Sequence, residues 1–88
     1  MSYKAKMTDN FNRQIRKLDK SVAKQIIEYI HKRIDGCDNP RAFGKALAEN
    51  RKGQWRYRIG KYRLICEIKD EELIVLALEI GHRKKIYK

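Results

Sequence analysis

Three runs of aromatic and branched residues, Gln54–Ile59, Tyr62–Lys69 and 72–80, are separated only by Gly60-Lys61 and Asp70-Glu71. Connections this short allow antiparallel neighbours and exclude parallel ones, which need a crossover of about a dozen residues or more. The second half of the chain is therefore read as a three-strand antiparallel meander. Its last run is apolar on both faces, as a central strand is.

The first half has a different period. Tyr3, Ala5 and Met7 alternate with Lys4 and Lys6, the pattern of a half-exposed strand over residues 2–7. Thr8 is placed to cap a helix whose Phe11, Ile15 and Leu18 form one apolar stripe, ending at Asp19 and Lys20. Ser21 is the expected cap of a second helix, with Val22, Ala23, Ile26, Ile27, Ile30 and Ile34 on one broad face and Gly36 as its stop. Helices this short gain most of their stability from tertiary packing, so the hairpin they form must lie on the sheet. Residues 36–53, with the only proline, Pro40, read as a connector containing one helical turn and no obvious chemistry. The expected fold is α+β: an N-terminal strand and a two-helix hairpin packed on an antiparallel sheet of about four strands. A chain of 88 residues supports one modest core, so residues 1–88 are read as a single domain.

Charge narrows the partners. The chain has 22 Lys and Arg against 11 Asp and Glu, a net charge of +11, which attracts polyanions such as nucleic acid, a ribosome or an acidic protein. The cations are not evenly spread: residues 51–69 hold seven basic and one acidic side chain, and the last seven residues hold four and none. No apolar run approaches the roughly 20 residues needed to span a bilayer, which excludes a membrane segment. Cys37 and Cys66 lack CxxC spacing, and no apolar signal segment precedes the first helix, so a reducing cytoplasm is expected. His31 has no partner at ligand spacing, and no cluster suits a metal. A glycine-rich phosphate loop and a G-x-S-x-G elbow are both missing, which sets aside nucleotide hydrolysis and serine hydrolase chemistry.

The strand pleat puts Trp55, Tyr57 and Ile59 on one face and Gln54, Arg56 and Arg58 on the other. Arg63, just past the tight turn, joins Arg56 and Arg58 on the face turned away from the helices. Beyond the last strand come His82, Arg83, Lys84, Lys85, Tyr87 and Lys88. Guanidinium groups remain charged and grip phosphate oxygens through paired hydrogen bonds, so such a group suits phosphate binding and neutralisation of charge developing on it. On charge alone, a solvated outer sheet face explains the same pattern equally well. Trp55, Tyr57 and Tyr62 read as core aromatics and Cys66 as a small buried hydrophobe.

Trp55-Arg56-Tyr57-Arg58, then Gly60-Lys61-Tyr62-Arg63-Leu64-Ile65, then Gly81-His82-Arg83 through Tyr87 resemble three consecutive motifs of the RelE/ParE toxin superfamily. The resemblance covers nearly the whole chain and implies a RelE-like, microbial-ribonuclease type of fold. It implies a ribosome-dependent endoribonuclease (mRNA interferase) that cuts mRNA in the A site without metal or cofactor. A RelB-like antitoxin would neutralise it within a hetero-oligomer. Position by position, it casts Arg63 and Arg83 as phosphate and leaving-group arginines and Tyr87 as the C-terminal active-site tyrosine. Arg56 and Arg58 stand where well-known members carry lysines. An arginine essentially cannot accept a proton, so Arg58 is cast as an electrostatic stabiliser and the general base is left unassigned. Arg56, Lys61, His82, Lys84, Lys85 and Lys88 are the expected RNA-binding residues. Two alternatives stay open: a ParE-like toxin that binds DNA gyrase, and an RNA- or ribosome-binding module without catalysis.

Overall fold

The computed structural model describes residues 1–47 and 53–82. Strand β1, Lys4–Met7, leads into helix α1, Asp9–Arg16, and helix α2, Lys20–Tyr29, which continues as a π-helical turn over Ile30–Ile34. Strands β2 (Lys45–Ala46), β3 (Gln54–Ile59), β4 (Tyr62–Lys69) and β5 (Ile74–His82) complete one sheet in the order β1-β5-β4-β3-β2. The meander is as the short turns required. The sheet has five strands, and β1 runs parallel to β5, so it is mixed rather than purely antiparallel. The parallel pairing arises because the whole helical hairpin and connector lie between β1 and the meander, a crossover long enough to return the chain in the same direction.

Thr8 caps α1 as expected: its hydroxyl oxygen accepts the Phe11 N–H at 3.1 Å. The same hydroxyl donates to the Ala77 and Leu78 carbonyls, at 2.9 and 3.2 Å. Asn10 Nδ2 also donates to the Leu78 carbonyl, and Gln14 Oε1 accepts the Ile80 N–H at 2.7 Å. These bonds serve β5 beyond Ala77, where its pairing with β1 has ended and its pairing with β4 shifts register. Polar side chains of α1 thus satisfy backbone groups that no neighbouring strand reaches.

Ser21 is not the cap of α2. The chain is still extended at Asp19 (φ −55°, ψ 145°) and becomes helical at Lys20, which puts Ser21 inside the helix. At the other end Gly36 adopts φ +83°, the left-handed stop its position suggested. Its N–H donates to the Tyr3 carbonyl at 2.7 Å, and the Tyr3 N–H to the Cys37 carbonyl at 2.8 Å, tying the helix end to the start of β1.

The core lies between the hairpin and one sheet face. Phe11, Ile26, Ile30 and Ile34 pack with Tyr57, Leu64, Cys66, Val75 and Ile80, all nearly fully buried. The broad apolar face of α2 and its π-helical extension divides: Ile26 and Ile30 point to the sheet, while Ala23 and Ile27 line an outer groove with Ile15 of α1 and Leu18 just beyond it. The described part of the connector holds the short strand β2, and its residues 48–52, where the expected helical turn could fall, lie outside the described residues. β5 begins at Ile74, two residues later than expected, because Leu73 turns the chain with φ +55°. Among the described residues no helix is long and apolar enough to cross a membrane.

Candidate nucleic-acid interface

The register fixes which side chains share a face. Arg58 lies directly across from Arg63, and in the next row Lys45, Arg56, Ile65 and Glu79 stand side by side across β2, β3, β4 and β5. Like charges directly opposite in an antiparallel pair are destabilising by up to about 1 kcal/mol. Arg58–Arg63 and Lys45–Arg56 are two such juxtapositions. Alternation puts this face away from the core-facing Tyr57, Leu64 and Ile80.

Arg56, Arg58 and Arg63 line one cavity of about 200 Å³, together with Gly44 and Lys45. Arg63 is only 6% exposed, the one buried charged residue among those described, whereas Arg58 is exposed. The two guanidinium groups therefore stand at different depths of one hollow. A bound anion would meet Arg58 at the rim and Arg63 at the floor. Opposite Arg63 on its other side is Gly81, which has no side chain to fill the space. Four cations around one opening favour a polyanion, and arginine suits the planar, paired recognition of phosphate oxygens.

Lys45 is the wall of this hollow that sequence reasoning missed. It belongs to the connector, which reads as turn-rich and unremarkable. What seats it is Gly44, with φ +86°. A Cβ there would lie 2.5 Å from the Arg56 carbonyl oxygen and 2.6 Å from Trp55 Nε1. The indole N–H in turn donates to the Phe43 carbonyl at 2.7 Å, and the buried Tyr57 hydroxyl to the Pro40 carbonyl at 2.6 Å. The connector is thus bonded to β3 by two side chains of one strand face. Burial pushes the Tyr57 hydroxyl's pKa far above its ordinary value, so that group serves as a donor and not as an acid.

A second anchor holds the connector's start. Arg41 grips Asp70 with two hydrogen bonds of 2.9 Å, and the Tyr3 hydroxyl donates to Asp70 Oδ1 at 2.7 Å. Hydrogen bonds from Arg41 and then Tyr3 hold the Asp70 carboxyl at about 2, well below the usual range. The same contact raises the Tyr3 phenol.

The expected site residues divide as follows. Arg56, Arg58 and Arg63 are brought together, and Lys61 sits exposed in the β3–β4 turn beside them. His82 pairs with Tyr62, on the face opposite the arginines, and its ring meets Tyr62 edge-on at 5.6 Å. Arg83, Lys84, Lys85, Tyr87 and Lys88 lie outside the described residues. Among the described residues no group of His, Cys, Asp and Glu is arranged to hold a metal.

This hairpin-on-sheet fold with a cationic outer face defines a class, the small toxins of the RelE/ParE superfamily. The structure superposes on the toxin–antitoxin complex RelBE2 from Mycobacterium tuberculosis with a TM-score of 0.84 and 28% identity, covering 94% of this chain and 93% of that one. On a mutant E. coli toxin RelE in the free state the TM-score is 0.76 with 19% identity, over 98% and 88% of the two chains; at that identity the likeness shows the fold alone. The toxin RelG of Mycobacterium tuberculosis is 31% identical over 88 residues, 100% of this chain and 99% of that protein. The family of the ParE toxin of type II toxin–antitoxin systems, parDE, matches residues 5–87, and the chain belongs to it.

Proposed function

We propose that this toxin is a metal-independent, ribosome-dependent endoribonuclease that cuts mRNA in the A site and is held inactive by a RelB-like antitoxin. One observation carries the reading: Arg58 stands directly across from Arg63 in a hollow also lined by Arg56 and Lys45. Guanidinium groups gathered this way suit the paired recognition of phosphate oxygens. The antitoxin follows from the relatives, among them RelB–RelE complexes from Pyrococcus horikoshii and E. coli.

In the proposed reaction the RNA 2′-hydroxyl oxygen bonds to the adjacent phosphorus as the bond from phosphorus to the 5′ oxygen breaks. The products are a 2′,3′-cyclic phosphate and a 5′-hydroxyl: the 2′-hydroxyl gives up its proton to water and the leaving 5′ oxygen takes one up, so no net proton is consumed. Arg58 and Arg63 hold the non-bridging oxygens and stabilise the charge that grows on them, and Arg83 neutralises the leaving oxygen. Tyr87 stacks a base beside the scissile phosphate. Arg56, Lys61, Lys84, Lys85 and Lys88 track the flanking phosphates. His82, which the register turns to the other face, is cast with the flanking contacts and not with proton transfer.

The test is to add purified toxin to programmed ribosomes in the presence of a chelator and map mRNA ends. Cleavage with 5′-hydroxyl ends is expected. Arg63→Ala and Arg83→Ala should each slow it by roughly 10²–10³-fold, and Tyr87→Phe should retain much of it. Intact mRNA with wild-type toxin overturns the reading. The second reading is favoured by the matched family being that of the ParE toxin: inhibition of DNA gyrase supercoiling, with mRNA left uncut, would establish it instead.

A further inference from the structure

Arg58 lines two cavities. Besides the arginine hollow, it forms a wall of a groove of about 290 Å³ between α2 with its π-helical extension and the β3–β4 turn. The groove's other charged walls are Lys32, Arg33 and Glu28, and Tyr29 and Gly60 complete its floor. Arg58 is the side chain common to both cavities.

The π-helical turn creates the groove. The Asp35 N–H donates to the Ile30 carbonyl at 2.8 Å, five residues back, which widens the last turn. Ile30 and Ile34 are both buried, and the three residues between them, His31, Lys32 and Arg33, are all turned outward. The Arg33 guanidinium lies over the Tyr29 ring, 5.8 Å from its centroid, which limits the orientations of an otherwise flexible side chain. Tyr29 is itself fixed edge-on against Phe43 at 6.2 Å. Glu28 is the counter-charge, 4.0 Å from Lys24 and 3.8 Å from Lys32. With three cations against one carboxylate the groove stays positive, and exposed pairs of this kind add little to stability.

We propose that the groove walled by Arg58, Lys32 and Arg33 binds the phosphodiester backbone of the RNA strand whose neighbouring phosphate occupies the arginine hollow. The inference rests on that hollow binding RNA phosphate. Arg58 hands the strand from one station to the next, so RNA long enough to reach both binds more tightly than RNA filling the hollow alone. Glu28 weakens the second station by its own charge and by engaging Lys32.

The probe is a pair of uncleavable 2′-O-methyl single strands, one of about four nucleotides and one of about sixteen, spanning the range of single-strand site sizes. Binding is followed by fluorescence anisotropy across a salt series. Wild type should bind the longer strand more tightly. The double variant Lys32→Ala/Arg33→Ala should remove most of that gain and reduce the salt slope for the longer strand by about 1.4, while binding the short strand as wild type does. Glu28→Gln should tighten the longer strand alone. No gain with length in wild type, or a gain that survives in the double variant, overturns the second station and leaves the hollow standing. Failure of wild type to bind either strand overturns the hollow and the groove together.

Discussion

On the face turned to the helices, Tyr57, Leu64 and Ile80 pack against Phe11, Ile26 and Ile30. One residue along the same strands, the other face sets Arg58 across from Arg63 and Lys45 across from Arg56. The first face gains by removing apolar area from water, about 25 cal/mol per Å². The second face brings cations side by side, with Glu79 in the row of Lys45 and Arg56. A stability measurement and a binding measurement should separate the two faces.

The largest effect belongs to the helix-covered face. Phe11→Ala should cost about 3–5 kcal/mol, seen as a lower urea midpoint, because Phe11 is fully buried at the centre of the core. Where the variant folds, its RNA affinity should match wild type. The seam between the faces comes next. Gly44→Ala should cost about 1–3 kcal/mol, since its methyl meets the Arg56 carbonyl and φ is +86°. It should also weaken RNA binding by displacing Lys45. Gly36→Ala, with φ +83° but open space around it, should cost only about 1 kcal/mol and leave RNA binding intact.

A smaller effect comes from the anchor at Asp70, and it depends on pH. The folded carboxyl is depressed to about 2, so its stabilisation is fully present above the ordinary carboxylate pKa of about 4 and is lost as pH falls toward about 2. The stability difference between wild type and Asp70→Asn should hold constant above that range and vanish below it. A difference that persists at the acid end would remove the carboxylate's charge from the account.

The meander, the Thr8 cap, the Gly36 stop and the arginine face were legible in the sequence because each rests on local chemistry: a two-residue turn, a capping hydroxyl, a left-handed glycine, a pleat. What was not legible depends on contacts distant in sequence. The parallel pairing of β1 with β5 is a tertiary choice, since alternation at Tyr3, Ala5 and Met7 is the same for either direction. Lys45 reaches the arginine hollow only because Gly44 lets the connector close on Trp55 and Arg56. The π-helical turn that exposes Lys32 and Arg33 leaves an isoleucine pattern identical to that of an ordinary helix. Lys32 and Arg33 on that turn and Arg58 on β3 were therefore invisible as parts of one groove.

The smallest stability effect is the most informative, because Arg58 is exposed, faces Arg63 and is needed by no part of the core. The central measurement pairs the melting temperature of Arg58→Gln with its affinity for a single-stranded RNA at low salt. Relief of repulsion should leave stability unchanged or raised by up to about 1 kcal/mol, while RNA affinity falls by roughly tenfold as a phosphate contact of about 1.5 kcal/mol is lost. Unchanged RNA affinity in a variant as stable as wild type would contradict the account, leaving the arginine face a solvated surface.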